Sequence, residues 1–471
     1  MAVEIHESIM VKPAEATPEH RLWLSNLDLL VARKLVPTAR FYRRRPASHG
    51  PAFFSPDVLK AALSKALVPF YPLAGRLAQD DGTGRLEIHC SGDGVLFVTA
   101  RTDATIDDLA GVTTLSDELL RMLVPSPEDA GRAGILAVFQ VTFFRCGGVC
   151  LGSAVHHMAA DGVAAISFRR TWAAVARGGA DEAATPPRPW LDRTLLRARS
   201  PPAVRFDHVE YPRRGHGGAA GGSTAESIPS DAVVFPLSKA QVSTLKRRAG
   251  AGAGNEGKKQ VSTFNAVAAH VWRCACRARR LAGAEDSRLY MNADARSRLS
   301  PPLPAGYFGN AIFRASAAAK VEDLVSAPLG ATAGTIAAAT ARMSDKHIRS
   351  LVDHLEQVVS DDGGDAAAEL RLGRWVMPRT DLFVLSWVGL PSADDDFGWG
   401  RPSFAARASL KFNGLVYLVS SGDGGVDVGV TMEVESVARL KEMFYEELSD
   451  HPLASQTQVD SLVHGDKRSK L

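Results

Sequence analysis

The stretch from Thr185 to about Ser230, which opens TPPRPWLDRTLLRARSPPAVRF and closes RRGHGGAAGGST, constrains the fold more than any other part of the chain. Proline removes backbone donors and glycine weakens any regular element, so a run rich in both and without an apolar period forms neither a long helix nor a sheet strand. A segment this long without periodicity, set in the middle of a folding chain, reads as a crossover between two packed halves. It divides the 471 residues into an N-terminal lobe (1–185), a connection (186–230) and a C-terminal lobe (231–471). That division agrees with size, because a chain of this length outgrows one hydrophobic core.

On either side of the connection, strand-like and helix-like segments alternate. Leu86–Cys90, Gly94–Val98 and Ile135–Phe144 are β-branched or aromatic runs bounded by turn residues, as are Leu415–Val419 and Val426–Met432. SPDVLKAALSKALVPF predicts a helix capped by Ser55, with Pro56 in its first position and Val58, Leu59, Ala62, Leu63, Ala66 and Leu67 on one apolar face. Ser262 and Thr263 can cap a second helix through FNAVAAHVWRCACRARRL, and an amphipathic helix is expected near Ser436 to Leu448. The class is α/β or α+β, with mixed sheets in two lobes.

Composition narrows function by exclusion. Basic and acidic residues nearly cancel, 55 against 52, so no global field suits nucleic acid. The five cysteines lack a CxxC pair, which argues against both a zinc knuckle and a disulfide framework. The N-terminal MAVEIHESIMVKPAE has no long apolar core, so neither a secretory signal nor a membrane anchor is expected there. Ser469-Lys470-Leu471 matches the C-terminal peroxisomal import address and predicts recognition by the import receptor.

The chemistry concentrates at HHMAADG, residues 156–162, between a buried strand-like run and a helix that begins at Asp161. Histidines in that position can be satisfied core residues, metal ligands or a general base. His89, His270, His347 and His354 are scattered and complete no metal-binding pattern, so no metal is expected. A neutral imidazole can instead take a proton from an alcohol or amine. Asp161 would then either fix its tautomer or hold the loop. The chain carries no G-x-S-x-G elbow, no P-loop and no strand-linked G-x-G-x-x-G, so the protein nucleophile and the phosphate and dinucleotide markers are all missing. A histidine base without a protein nucleophile implies direct attack of one substrate on another.

HxxxD is followed, in order, by YFGN at 307–310 and DFGWG at 396–400. Together these resemble the plant BAHD acyltransferases, and LWLSNLDLL, LVPFYPLAGRL, LDRTLLRAR and LPAGYFGN look most similar to its hydroxycinnamoyl-CoA:shikimate/quinate branch. The resemblance implies a monomer with two chloramphenicol-acetyltransferase-like lobes and a tunnel between them, an acyl-CoA as co-substrate and a small acceptor, with no bound cofactor, nucleic acid or membrane. It places His157 as the general base and Asp161 as the orienting aspartate, paired with Arg296. Asp396 and Trp399 become mainly structural, and Trp387 becomes the candidate oxyanion donor. Ser262, Thr263 and Lys258 fall near the nucleotide end of CoA.

The acceptor pocket departs from that branch. Thr38 and Arg40 fall in it, with Arg40 where the family has a tyrosine. Leu372 and Leu385 stand where shikimate-using members have an arginine and a threonine. A shikimate carboxylate without its arginine would be poorly paired in a dry tunnel. The expected acceptor is therefore an amine of the tryptamine, tyramine or polyamine kind, and the expected donor an aromatic acyl-CoA, hydroxycinnamoyl or benzoyl. O-acylation of shikimate, quinate or an aromatic alcohol is the alternative, and a non-catalytic acyl-CoA-binding protein the distant one. A peroxisomal address suits an aroyl-CoA donor, against a cytoplasmic default for the family.

Overall fold

The computed structural model describes residues 1–45, 52–109, 114–126, 134–178, 187–212, 229–251, 261–361, 377–391, 395–408 and 412–448. Lys258, Leu372 and Ser469-Lys470-Leu471 lie outside them.

A seven-stranded mixed sheet forms the N-terminal lobe, in the order Glu4–Val11, Val95–Thr102, Ala137–Phe144, Val149–His156, Leu35–Tyr42, Phe404–Ala408, Thr114–Leu115. Helices Pro56–Ala66 and Gly162–Ala176 cover it, locked by Phe139, Phe168 and Trp172, whose Nε1 donates to the Leu59 carbonyl at 3.0 Å. A six-stranded sheet, in the order Ser230–Leu237, Val426–Glu433, Leu415–Ser420, Leu382–Ser386, Asp286–Asp294, Ile312–Lys320, forms the C-terminal lobe. Its central helix Thr263–Ala278 is buried almost all round, as its alanine- and valine-rich sequence requires. Arg21–Trp23, Leu86–His89 and Arg76–Gln79 make a small three-stranded sheet.

The two-lobed expectation holds, with local corrections. Ser55 makes no side-chain cap bond, although Pro56 does occupy the first turn, and Val58 is exposed while the rest of its expected face is buried. The C-terminal helix stops at Met443, and a separate short turn at Glu446–Leu448 follows.

Two chain segments ignore the boundaries read from sequence. Phe404–Ala408, well past residue 231, joins the N-terminal sheet by pairing antiparallel with Leu35–Tyr42. Residues 187–212 of the crossover are also packed: Leu196 and Tyr211 enter the C-terminal core, and Trp190 bridges to Tyr307. Isolated anchors without a period are invisible to a reading based on periodicity, because each is held by tertiary contacts instead of by its neighbours in sequence.

Candidate active site

Strand Val149–His156 ends at the lobe boundary, and the next residue, His157, lines a small cavity of about 50 Å³ with Leu27, Leu30, Tyr211, Arg314 and Phe383. Its Nδ1 is buried, meeting no partner in hydrogen-bonding geometry; Asn310 and its own backbone are its polar neighbours. Nε2 is thus the nitrogen left to face the cavity. Burial, partly offset by those neighbours and by Asp161, holds the imidazole below its ordinary value and keeps it neutral at physiological pH. The adjacent His156 is different. Its Nδ1 accepts from the Met158 N–H at 3.3 Å, and burial beside His157 and Arg33 pushes its pKa down to about 4, so it serves the turn as a neutral acceptor.

Asp161 turns out to hold the loop and leave the tautomer alone. It is the N-cap of Gly162–Ala176, its Oδ1 accepting from the Ala164 N–H at 2.9 Å and from Arg296 Nη2 at 3.0 Å. Its Oδ2 takes the Ala311 N–H at 3.1 Å and Arg296 Nη1 at 2.9 Å. Both oxygens are engaged, and none of these bonds goes to an imidazole. The pairing with Arg296 agrees with what the resemblance implied.

Other groups were not singled out by sequence. Asn310, the last residue of YFGN, donates from Nδ2 to the His157 carbonyl at 2.8 Å and to Asp28 Oδ1 at 2.9 Å. Arg193, from the crossover, donates to the carbonyls of Met158 at 3.2 Å and Ala159 at 2.7 Å and pairs with Asp28 at 3.1 Å. Besides YFGN itself, a readable signal was Ser25-x-x-Asp28, whose spacing matches a capping box, and the structure forms that box.

Of the acceptor candidates, Leu385 lies on the same face of Leu382–Ser386 as Phe383; it is Phe383, not singled out by sequence, that lines the His157 cavity. Trp387 follows, the edge of its six-membered ring so close to Gly162 that a Cβ there would meet Cη2 at 3.1 Å. That contact places the indole on the first turn of the helix capped by Asp161; it does not place Nε1 at the reacting centre.

Arg40 needs correction as an acceptor-pocket residue. It is buried, 2% exposed, with Nε 2.5 Å from Asp395 Oδ2, an oxygen that Arg169 Nε shares at 3.0 Å. Its guanidinium is committed to Asp395 because a charge this deep must be paired. Arg40 Nη1 also donates to Thr38 Oγ1 at 2.9 Å, and Thr38 bonds Ser153 Oγ at 3.0 Å, so Thr38 is tied into the same cross-strand network.

DFGWG serves architecture. Asp396 Oδ1 accepts the N–H groups of Gly398 and Gly400 at 2.8 and 2.9 Å, and both glycines take positive φ. Phe397 packs on Trp172 and Trp399 on Phe54, fastening the loop to the N-terminal lobe. Ser262 caps Thr263–Ala278 through the Asn265 N–H at 3.1 Å, leaving Thr263 in the first turn. Among the described residues, no group of histidines, cysteines and carboxylates is arranged for a metal, and no helix is long and apolar enough to cross a membrane.

A buried neutral histidine at the joint of two mixed-sheet lobes, lining a cavity with leucines, Phe383, Tyr211 and Arg314, fits the acyltransferase class. Residues 1–447 match the family model described as "Transferase family", and the chain belongs to that family, the BAHD acyltransferases. It is 63% identical over 459 residues to putrescine hydroxycinnamoyltransferase 1 of Oryza sativa subsp. japonica, covering 95% of this chain and all of that one. It is 40% identical over 453 residues to shikimate O-hydroxycinnamoyltransferase of Nicotiana tabacum, covering 95% and 100%. The solved structure of vinorine synthase shares the fold, with a TM-score of 0.69 and 23% identity, over 93% of this chain and 96% of that one.

Proposed function

We propose that the enzyme transfers a hydroxycinnamoyl group from its CoA thioester to a primary amine of a small aliphatic diamine of the putrescine kind. The observation that carries this reading is the full-length 63% identity to an enzyme named for that reaction, against 40% to one named for shikimate. Leucine at position 385 supports it, since an apolar wall offers a shikimate hydroxyl no partner.

The chemistry follows from the cavity. Both amines of a diamine are ammonium ions in water, and only the neutral form has a lone pair to attack with. Leu27, Leu30, Val31 and Phe383 line the approach to His157 and disfavour the charged form. As the amine nitrogen bonds to the thioester carbonyl carbon, His157 Nε2 takes its proton. The C–S bond then breaks, the thiolate takes that proton from the imidazolium, and an amide and free CoA leave. The second ammonium is not consumed.

The deciding experiment is a matrix of hydroxycinnamoyl- and benzoyl-CoAs against putrescine, tyramine, tryptamine, shikimate and quinate, read by product mass. Amide formation with putrescine at the highest kcat/KM is expected. Ester formation on shikimate at a comparable rate would overturn the reading, and absence of any transfer would leave a CoA-binding protein.

A further inference from the structure

We infer that Asp28 is a positioning residue for the transfer reaction: through Asn310 and Arg193 it fixes the three successive backbone carbonyls, of His157, Met158 and Ala159, on which the base is carried. The inference rests on His157 being the base but not on the identity of the acceptor.

The geometry is a hub with two arms. Asp28 sits in the short helix Asn26–Leu29, fully buried, and its Oδ2 is held from behind by the Ser25 N–H at 2.8 Å and the Ser25 hydroxyl at 2.7 Å. Its Oδ1 faces forward and accepts from the Asn310 N–H at 2.8 Å, Asn310 Nδ2 at 2.9 Å and Arg193 Nη1 at 3.1 Å. From there Asn310 Nδ2 reaches the carbonyl of residue 157 at 2.8 Å, while Arg193 Nη1 and Nη2 reach those of 158 and 159 at 3.2 and 2.7 Å. The N–H groups of the same turn are held separately: His157 N–H donates to the Lys34 carbonyl at 3.0 Å and Ala159 N–H to that of His156 at 2.9 Å. A turn of three residues is thereby fixed on both sides of its peptide planes.

A buried ion pair is weak grounds for stability, because desolvating both charges offsets most of their attraction and apolar residues of equal volume often serve as well. What apolar residues cannot do is donate to backbone carbonyls. Here the Arg193 guanidinium and the Asn310 amide, both held by the Asp28 carboxylate, make these donations to the turn that carries His157, which is what a device for geometry requires and a device for stability does not. Gly309 belongs to the same arrangement: a Cβ there would stand 3.1 Å from Arg193 Nε and 3.3 Å from Cζ, so glycine before Asn310 lets the guanidinium pass. Displacing a catalytic group by about 1 Å can cost on the order of a hundredfold in rate.

The test uses the full-length enzyme and whichever acceptor the unaltered protein turns over. Asp28→Asn keeps shape and loses the charge that holds Arg193; Arg193→Lys keeps charge and gives up the two-carbonyl fork; Ser25→Ala loosens Asp28 from behind without touching a charge. Free CoA titrated into each by calorimetry counts binding-competent sites, and kcat is expressed per site. Expected is a fall in kcat of about 10- to 100-fold for the first two and a smaller fall for the third, with KM for acyl-CoA and CoA affinity within about twofold of the unaltered enzyme. Unchanged kcat per competent site in Asp28→Asn and Arg193→Lys overturns the inference. So does failure of all three to yield a CoA-binding fold, which would make the cluster a folding element only. Absence of amide from the unaltered enzyme would instead refute the amine acceptor and leave this comparison intact.

Discussion

Asp161 and Arg296 come from opposite lobes and meet at 2.9 Å, the carboxylate fully buried and the guanidinium partly so. The aspartate caps the helix that follows His157, while the arginine follows strand Asp286–Asp294 and also reaches the carbonyls of Tyr307 and Gly309. One bidentate contact therefore ties the base's helix to YFGN across the lobe joint. Removing a single partner strands a buried charge, which costs about 3–5 kcal/mol. Asp161→Ala, which also loses a helix cap worth about 1 kcal/mol, should lower unfolding free energy in urea more than Arg296→Met. Equal and small effects would show the pair to be unimportant.

His157→Ala should remove the base and leave the cavity walls. General-base catalysis is worth about 10²–10⁴-fold, so transfer should drop by that factor while CoA still binds in calorimetry. Retained turnover would refute the assignment of His157. A chelator should not affect the unaltered enzyme, since the proton transfer assigned to His157 needs no metal.

The pH dependence of the rate separates an amine from an alcohol acceptor. Burial lowers the His157 pKa, so the imidazole is already a competent base throughout the neutral range and protonates only on the acid side of the ordinary histidine value. An alkylammonium with a pKa near 10 must lose its proton first. Amine kcat/KM should therefore rise about tenfold per pH unit from pH 7 to 9, whereas ester formation should be nearly flat. A flat profile with putrescine, measured by thiol release, would contradict attack by a free neutral amine.

Acid stability has its own signature. Burial depresses His156 and His270 to about 4, and burial beside His347 and His354 depresses His208 to about 3. An unfolded chain binds protons at these imidazoles near 6.5, so between there and 4 the unfolded state holds more protons and stability falls as pH falls. These groups contribute fully above about 6.5. Urea midpoints at pH 7.5, 6 and 5 should drop progressively; a midpoint unchanged down to pH 5 would mean these imidazoles are not held neutral.

Much of this was legible because HxxxD, YFGN and DFGWG are local signals: a strand end, a capped helix and two glycine-dependent turns each fix their own backbone. His157 and Asp161 could be placed for that reason. Arg193 could not, because nothing in LDRTLL distinguishes a buried guanidinium from a surface one until Asp28, 165 residues earlier, is packed against it. Arg40 misled in the opposite direction. Its position pointed to substrate, and only the fold brings Asp395 within 2.5 Å of it. The anchors inside the crossover, such as Tyr211, were unreadable for the same physical reason, since single anchors leave no period.

The cluster of Arg40, Arg169 and Asp395 makes an asymmetric prediction. One carboxylate, wholly buried, serves two guanidiniums, and its backbone carbonyl also takes the Tyr42 hydroxyl at 2.8 Å. Arg40→Met leaves Asp395 still paired with Arg169, so the loss should be modest, about 1–2 kcal/mol. Asp395→Leu leaves two buried cations facing each other with no counterion, so the loss should reach about 3–5 kcal/mol. Because Asp395 immediately precedes DFGWG, its loss should also free that loop from the sheet and raise KM for the acceptor, where Arg40→Met should leave KM nearly unchanged. Urea unfolding and steady-state kinetics on the two variants check both halves. An Arg40→Met enzyme that loses acceptor affinity at full stability would return Arg40 to the substrate pocket, where sequence position had put it.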